Sequence, residues 1–188
     1  MSHPTDKIIT RVIELSGGKA ALIEETDKKL DFINDKWGQD VVAIGRILRA
    51  HLFVEYFMTK CIQTVNPKLG DLDEARISYN QKINLLKGCS KHIDQMIPGI
   101  KRLNIIRNRV AHNLTAEITD QDIESIFSDQ SFKALRDAHT KPNKPSADKF
   151  EIIEDFAKHV GSYLDSEGEA DSLAQRFKQA FKESENET

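Results

Sequence analysis

Between residues 105 and 113 the chain reads Ile-Ile-Arg-Asn-Arg-Val-Ala-His-Asn, which sets Arg107, Asn108 and His112, with Arg109 and Asn113, among the apolar Ile105, Ile106, Val110 and Ala111. A histidine with an ordinary pKa of about 6.5 takes or gives a proton near neutrality. Arginine stays charged, and its planar fork matches a phosphate. Asparagine adds an uncharged donor and acceptor for positioning. Together these groups suit phosphodiester chemistry without a metal. On a helix at about 100° per residue, Asn108 and Arg109 share a face with His112, whereas Arg107 lies about 140° away from it. Only a long side chain, a distorted last turn or a second subunit would bring that guanidinium to the imidazole.

The supporting residues follow from burial. Leu52-Phe53-Val54-Glu55-Tyr56-Phe57-Met58 is apolar but for Glu55, and this stretch belongs to a helix expected from Asp40 to about Val65, the central core helix. A carboxylate there needs a partner, and Arg107 or Arg109 is the expected one, anchoring the motif helix. His51, one turn before Glu55, is expected as a packing histidine. Lys101 and Arg102 precede the motif, and from Lys87 to Asn113 six cations stand against Asp94 alone. Such a patch could hold a phosphate backbone, or its lysines could simply solvate helix faces. The segment from Asp165 on carries seven acids against three bases.

The Arg107-Asn108 pair with His112 beyond it resembles the Arg-x(4–6)-His signature of HEPN domains (higher eukaryotes and prokaryotes nucleotide-binding). The helix Arg49-Ala-His-Leu-Phe-Val-Glu-Tyr56 and the segment Ser78-Tyr-Asn-Gln-Lys-Ile-Asn-Leu-Leu86 are similar to their surroundings in small bacterial proteins of that group. The resemblance spans residues 38–130. It implies an all-α, HEPN-like antiparallel helical bundle that forms a homodimer through the motif helices, with two copies of the motif lining a cleft. In members that are ribonucleases, the arginine and histidine cleave RNA without a metal, leaving a 2′,3′-cyclic phosphate and a 5′-hydroxyl. Many members are toxins or phage-defence effectors, so an antitoxin or regulatory protein is a candidate partner. The resemblance assigns Arg107, Asn108 and His112 the catalytic positions and gives Arg109 no fixed role. A non-catalytic dimer, serving as an RNA-binding, regulatory or adaptor module, would keep the same motif for structure. Arg107 would then pair with Glu55, and His112 would cap terminal carbonyls.

Elsewhere the punctuation is helical. Ile8, Ile9, Val12, Ile13 and Leu15 recur at helical spacing before Gly17-Gly18, and a second helix is expected from about Lys19 to Trp37. Ser78 with Gln81 fits a capping box. Ile93, Met96 and Ile97 predict a short helix ended by Pro98-Gly99, with the motif helix following and closing at a left-handed Asn113. Thr119 with Asp122 predicts an N-cap for one helix through Leu135. The stretch 140–146 reads as a linker, and Phe150, Ile153, Phe156, Val160 and Leu164 mark an amphipathic helix, with an acidic last helix after Gly168. The expected organisation is 1–37 as helices packing on the bundle, 38–138 as the bundle, 139–147 as linker and 148–188 as a C-terminal helical extension with an acidic tail.

At 188 residues, 39 % of them hydrophobic, with a net charge of −3, the chain can bury one core, and bulk affinity for nucleic acid is not expected. No apolar run approaches the roughly 20 residues that span a bilayer, and the first residues lack the apolar core of a secretory signal. Cys61 and Cys89 have no metal-type spacing, so reduced thiols and a cytoplasmic location are expected. No glycine-rich phosphate loop or metal cluster is evident, so no cofactor is expected.

Overall fold

A computed structural model describes residues 4–38, 40–72, 74–113, 117–139 and 143–167, with positions 172, 176, 179, 180 and 183 beyond them. The described residues are all-helical, with no strand among them: α1 (Pro4–Leu15), α2 (Lys19–Trp37), α3 (Val41–Val65), a 3₁₀ turn at Pro67–Leu69, α4 (Tyr79–Leu86), α5 (Lys91–His112), α6 (Asp120–Ile126), α7 (Gln130–His139) and α8 (Lys149–Ser166). None of these helices is long and apolar enough to cross a membrane. The chain forms two compact units, residues 1–40 and residues 41–188. The first holds α1 and α2, joined through Gly17 and Gly18 at positive φ, and α2 contains no buried residue.

The second unit is organised by α3, whose Ile47, Ala50, Val54, Met58, Cys61 and Ile62 form one buried stripe at three- and four-residue spacing. Against it lies α8, which buries Ile152, Ile153, Phe156, Ala157, Val160 and Leu164. Contacts of Arg46 with Glu154 and of Lys60 with Asp165 rise together along both helices, so α3 and α8 run parallel. A methyl group added at Gly161 would overlap the Phe53 ring, so this glycine sets how closely the two helices approach. The helix expected as a C-terminal extension is therefore a member of this core.

The motif helix differs from the sequence expectation at its start and its end. Instead of breaking at Pro98-Gly99, α5 runs unbroken from its N-cap Ser90 to His112 with Pro98 inside it. A proline in a helix interior costs about 3 kcal/mol. The fully buried Ile93, Met96, Ile100, Leu103 and Ile106, which lie on both sides of it, offset that cost. The neighbouring glycine serves packing rather than termination: a Cβ at Gly99 would overlap the Phe156 ring of α8. At the other end Asn113 is extended, with φ −131° and ψ 113°, not left-handed, and its N–H donates to the Arg109 carbonyl. Gly99 beside Phe156 and His92 beside Tyr163 (ring centroids 4.2 Å apart) make α5 antiparallel to α8, and hence to α3.

Local capping places the remaining helices. Ser78 and Gln81 form the expected box at the start of α4, and Thr119 and Asp122 form another at α6. The single helix expected through Leu135 is two, because Asp129 accepts hydrogen bonds from the Ser131 and Phe132 amides and so starts α7 afresh. Most of the acidic segment after Gly168 lies outside the described residues, as do positions 140–142 of the expected linker.

Candidate functional site

The side chains of α5 fall into three stripes. Lys101, Ile105, Asn108 and His112 are exposed along its outer face; Leu103 and Ile106 enter the core; Arg102 and Arg109 point toward α6. Asn108 and His112, four residues apart, lie on the solvent face as the spacing requires. His112 has no hydrogen-bond or ion-pair partner among the described residues. Arg109 does not join them, because its guanidinium is bound to the Asp122 carboxylate.

Asp122 is a fully buried acid whose Oδ2 is hydrogen-bonded and whose Oδ1 has only a neighbouring charge. Its Oδ2 accepts from Arg109 and from the Thr119 amide at 2.8 Å, and Arg102 stands 3.5 Å from Oδ1. Burial pushes this carboxyl up, but the bonds from Arg109 and Thr119 outweigh it and hold the group below the ordinary aspartate range. Arg102, expected to bind substrate, and Arg109 thus link α5 to α6.

On the opposite flank, α3, α4 and α5 meet in a second polar cluster. The partner of Glu55 is neither Arg107 nor Arg109 but Lys82 of α4, whose buried ammonium lies 2.9 Å from Oε1. His51 is buried, stacks on Tyr79 with centroids 4.2 Å apart, and meets Asn104 Oδ1 at 3.1 Å through Nε2. Because the Asn104 amide nitrogen faces Asn80 Oδ1, its oxygen is the acceptor, so the imidazole Nε2–H donates. Burial holds His51 below the ordinary histidine range, against the raising effects of Asn104 and Glu55. The ring is therefore neutral at neutral pH, and its 4.0 Å approach to Glu55 is not an ion pair.

Arg107 borders this cluster, and its charge also disfavours a protonated His51. Its Nη1 donates to Asn108 Oδ1 at 2.9 Å, while its Nε is buried without a hydrogen-bond partner. No contact joins it to His112 among the described residues, and on a regular helix the 140° offset persists to the end of α5. One chain therefore offers the histidine and the arginine on different faces. Beside the cluster, Leu52, Glu55, Tyr56, Thr59, Lys60, Gln63 and Lys82 line an open cleft of about 430 Å³ between α3 and α4.

A separate cluster brings serine, histidine and aspartate together away from the motif. The Ser131 hydroxyl donates to Asp129 at 2.6 Å and lies 3.4 Å from His92 Nε2, and His159 approaches the second Asp129 oxygen at 3.3 Å. A nucleophilic triad needs the carboxylate behind the histidine, not directly on the serine. Here Asp129 also caps α7, so the cluster serves structure.

Sequence reasoning missed Asn104, Lys82 and the arginine-binding role of Asp122. Asn104 was accessible in principle, since it lies three residues before Arg107. Lys82 stands three residues after Tyr79 and four before Leu86, on the buried side of α4, where a lysine signals a buried acid as its partner. No group of three or more histidine, cysteine, aspartate or glutamate side chains among the described residues is placed to hold a metal ion. No protein-family model, curated protein or solved structure matches this chain.

Proposed function

We propose that this chain is a metal-independent endoribonuclease of the HEPN type, acting as a cytoplasmic toxin or phage-defence effector. The observation that supports the reading is the outer face of α5: the fold engages Arg102 and Arg109 but leaves Lys101, Asn108 and His112 exposed in one row. A motif kept for structure alone would be consumed by the fold, with Arg107 on Glu55 and His112 on terminal carbonyls. Glu55 is instead held by Lys82.

In the proposed reaction His112 removes the proton of a ribose 2′-hydroxyl, and that oxygen attacks the adjacent phosphorus. The bond to the 5′-oxygen breaks, leaving a 2′,3′-cyclic phosphate, and a second histidine returns a proton to the leaving oxygen. Arg107 stabilises the charge that develops on the phosphorane, Asn108 orients its guanidinium, and Lys101 contacts the flanking backbone. Since Arg107 and His112 diverge on one helix, a homodimer supplies the complementary pair across its cleft. An antitoxin or regulatory protein would cover the same face.

The test is cleavage of RNA by purified wild type and His112→Ala, with product ends identified. General acid or base catalysis contributes roughly 10²- to 10⁴-fold in rate, so the variant should lose activity by that factor while melting normally. Full activity in His112→Ala rejects the assignment. The orientation of Arg107 toward Asn108 and His51 favours a second reading, a non-catalytic RNA-binding, regulatory or adaptor dimer. That reading predicts a wild type that binds RNA and cleaves none.

A further inference from the structure

The hairpin of α1 and α2 is apolar where it should be wet. Its large apolar side chains are Ile8, Ile9, Val12, Ile13, Leu15, Leu22, Ile23, Leu30, Phe32, Ile33 and Trp37; all but Ile13 and Leu22 are exposed, from 43 % at Val12 to 87 % at Trp37. Seven of these nine, all but Ile9 and Phe32, fall on one seam of each helix; at about 150 Å² each, the lower end of the aromatic range, they offer on the order of 600 Å². That stands at the top of the roughly 300–600 Å² of the largest patch on an ordinary monomer and, with the exposed Thr5 and Thr26 of the same seams, approaches the roughly 800 Å² each partner gives to a standard interface.

The exposed residues are also ordered. In α2, Ile23, Thr26, Leu30, Ile33 and Trp37 alternate at three and four residues, and in α1 Thr5, Ile8, Val12 and Leu15 do the same. This is the a/d spacing of a helical seam that packs against another helix. Two helices of 12 and 19 residues without a buried seam are marginal in water.

We infer that the α1–α2 hairpin is a self-association arm, whose seam packs on the same hairpin of a second copy of this chain to form a four-helix bundle. Charge favours that occupant. Residues 4–37 hold seven acids and six bases, so two copies do not repel, and the arm has no excess of cations for nucleic acid or an anionic membrane. Flanking the α2 seam, Asp27 and Asn34 lie on one side and Lys29 and Lys36 on the other. Parallel pairing sets Lys29 against Asn34 of the second copy, whereas antiparallel pairing sets lysine against lysine, so the parallel arrangement is preferred. The inference is independent of the chemistry proposed for α5, and pairing of the arms is additional to any pairing through that helix.

Trp37 is the chain's single tryptophan and sits at the end of the seam, so it reports the contact directly. The experiment is sedimentation of the full chain over a range of concentrations, with tryptophan emission recorded in parallel. Ile105→Glu, which removes pairing through the outer face of α5, should still sediment at twice the 21.3 kDa chain mass and shift its emission to the red as dilution separates the copies. Adding Leu30→Glu with Ile33→Glu should give a monomer with red-shifted emission at every concentration. Adding Phe32→Glu instead, at a residue 64 % exposed but off the seam, should leave the dimer intact. An Ile105→Glu chain that is monomeric overturns the inference, and a wild type that is dimeric beside it assigns assembly to the outer face of α5. An Ile105→Glu dimer that survives the seam substitutions also overturns it.

Discussion

Arg107 and Arg109 stand two residues apart on one helix, yet their surroundings differ. Arg109 is bound to Asp122, an acid with no exposure, within a capping box that also fixes α6. Arg107 has only its neighbour Asn108 as a hydrogen-bond partner and no ion pair among the described residues, while the Nε atoms of both arginines are buried without a hydrogen bond. A charge paired with a buried acid is part of the fold, since removing either member strands the other. A charge without an ion pair is the one that the proposed function assigns to a phosphate. The same contrast separates Arg102, which is engaged by Asp122, from Lys101, which is exposed beside it.

The largest break in that comparison comes from the anchored side. Arg109→Ala leaves Asp122 buried with Arg102 alone at 3.5 Å. Stranding a buried charge costs 3–5 kcal/mol, and the residual partner and the Thr119 amide place the expected loss near the bottom of that range, about 3 kcal/mol. Urea denaturation measures it, and a loss below about 1 kcal/mol would mean that the pair behaves as a surface ion pair. Because the folded pKa of Asp122 is depressed, its contribution is present above the unfolded value of about 3.9 and fades as pH falls through the lower folded one.

The other flank responds to pH in a different window. The folded pKa of His51 is lowered, chiefly by burial, so the unfolded state takes up the proton first. Stability is then complete above the unfolded histidine value of about 6.5 and declines as pH drops below it. His92, also lowered by burial, adds to the same slope. His51→Gln keeps an amide donor for Asn104 but does not titrate, so it should flatten the decline between neutrality and the carboxylate range. An unchanged slope in that variant would show that His51 is already hydrated in the fold.

What could be read from the sequence divides along local and distant lines. The capping boxes at Ser78 and Thr119 were legible because both partners lie within one turn. The helical periodicity of α1, α3 and α8 was legible for the same reason. Pro98-Gly99 was misread as a stop because the reason for that glycine, the Phe156 ring, lies 57 residues on. Glu55 was correctly marked as a carboxylate in need of a partner, but nothing local distinguished Lys82 from the arginines of α5. The break between α6 and α7 was hidden because Asp129 caps a helix whose apolar residues continue the spacing of the one before it. The motif itself was visible by residue type and spacing, including the divergence of Arg107 from His112. The two different anchorings of its flanks could be seen only in three dimensions.

The smallest expected effect is the sharpest test of the contrast. His112 and Asn108 are exposed, His112 has no partner among the described residues, and Asn108 bonds only its neighbour. Surface substitutions away from caps and buried charges usually fall within about 0.5 kcal/mol of wild type, so His112→Ala and Asn108→Ala should each stay inside that range in the same urea titration. Set against the roughly 3 kcal/mol expected for Arg109→Ala, this leaves a difference that ordinary denaturation error does not obscure. Were His112→Ala to destabilise the chain as Arg109→Ala does, the imidazole would be serving the fold, and any loss of RNA cleavage in that variant would report unfolding. If stability holds while cleavage is lost, the outer face of α5 carries chemistry that the fold does not need.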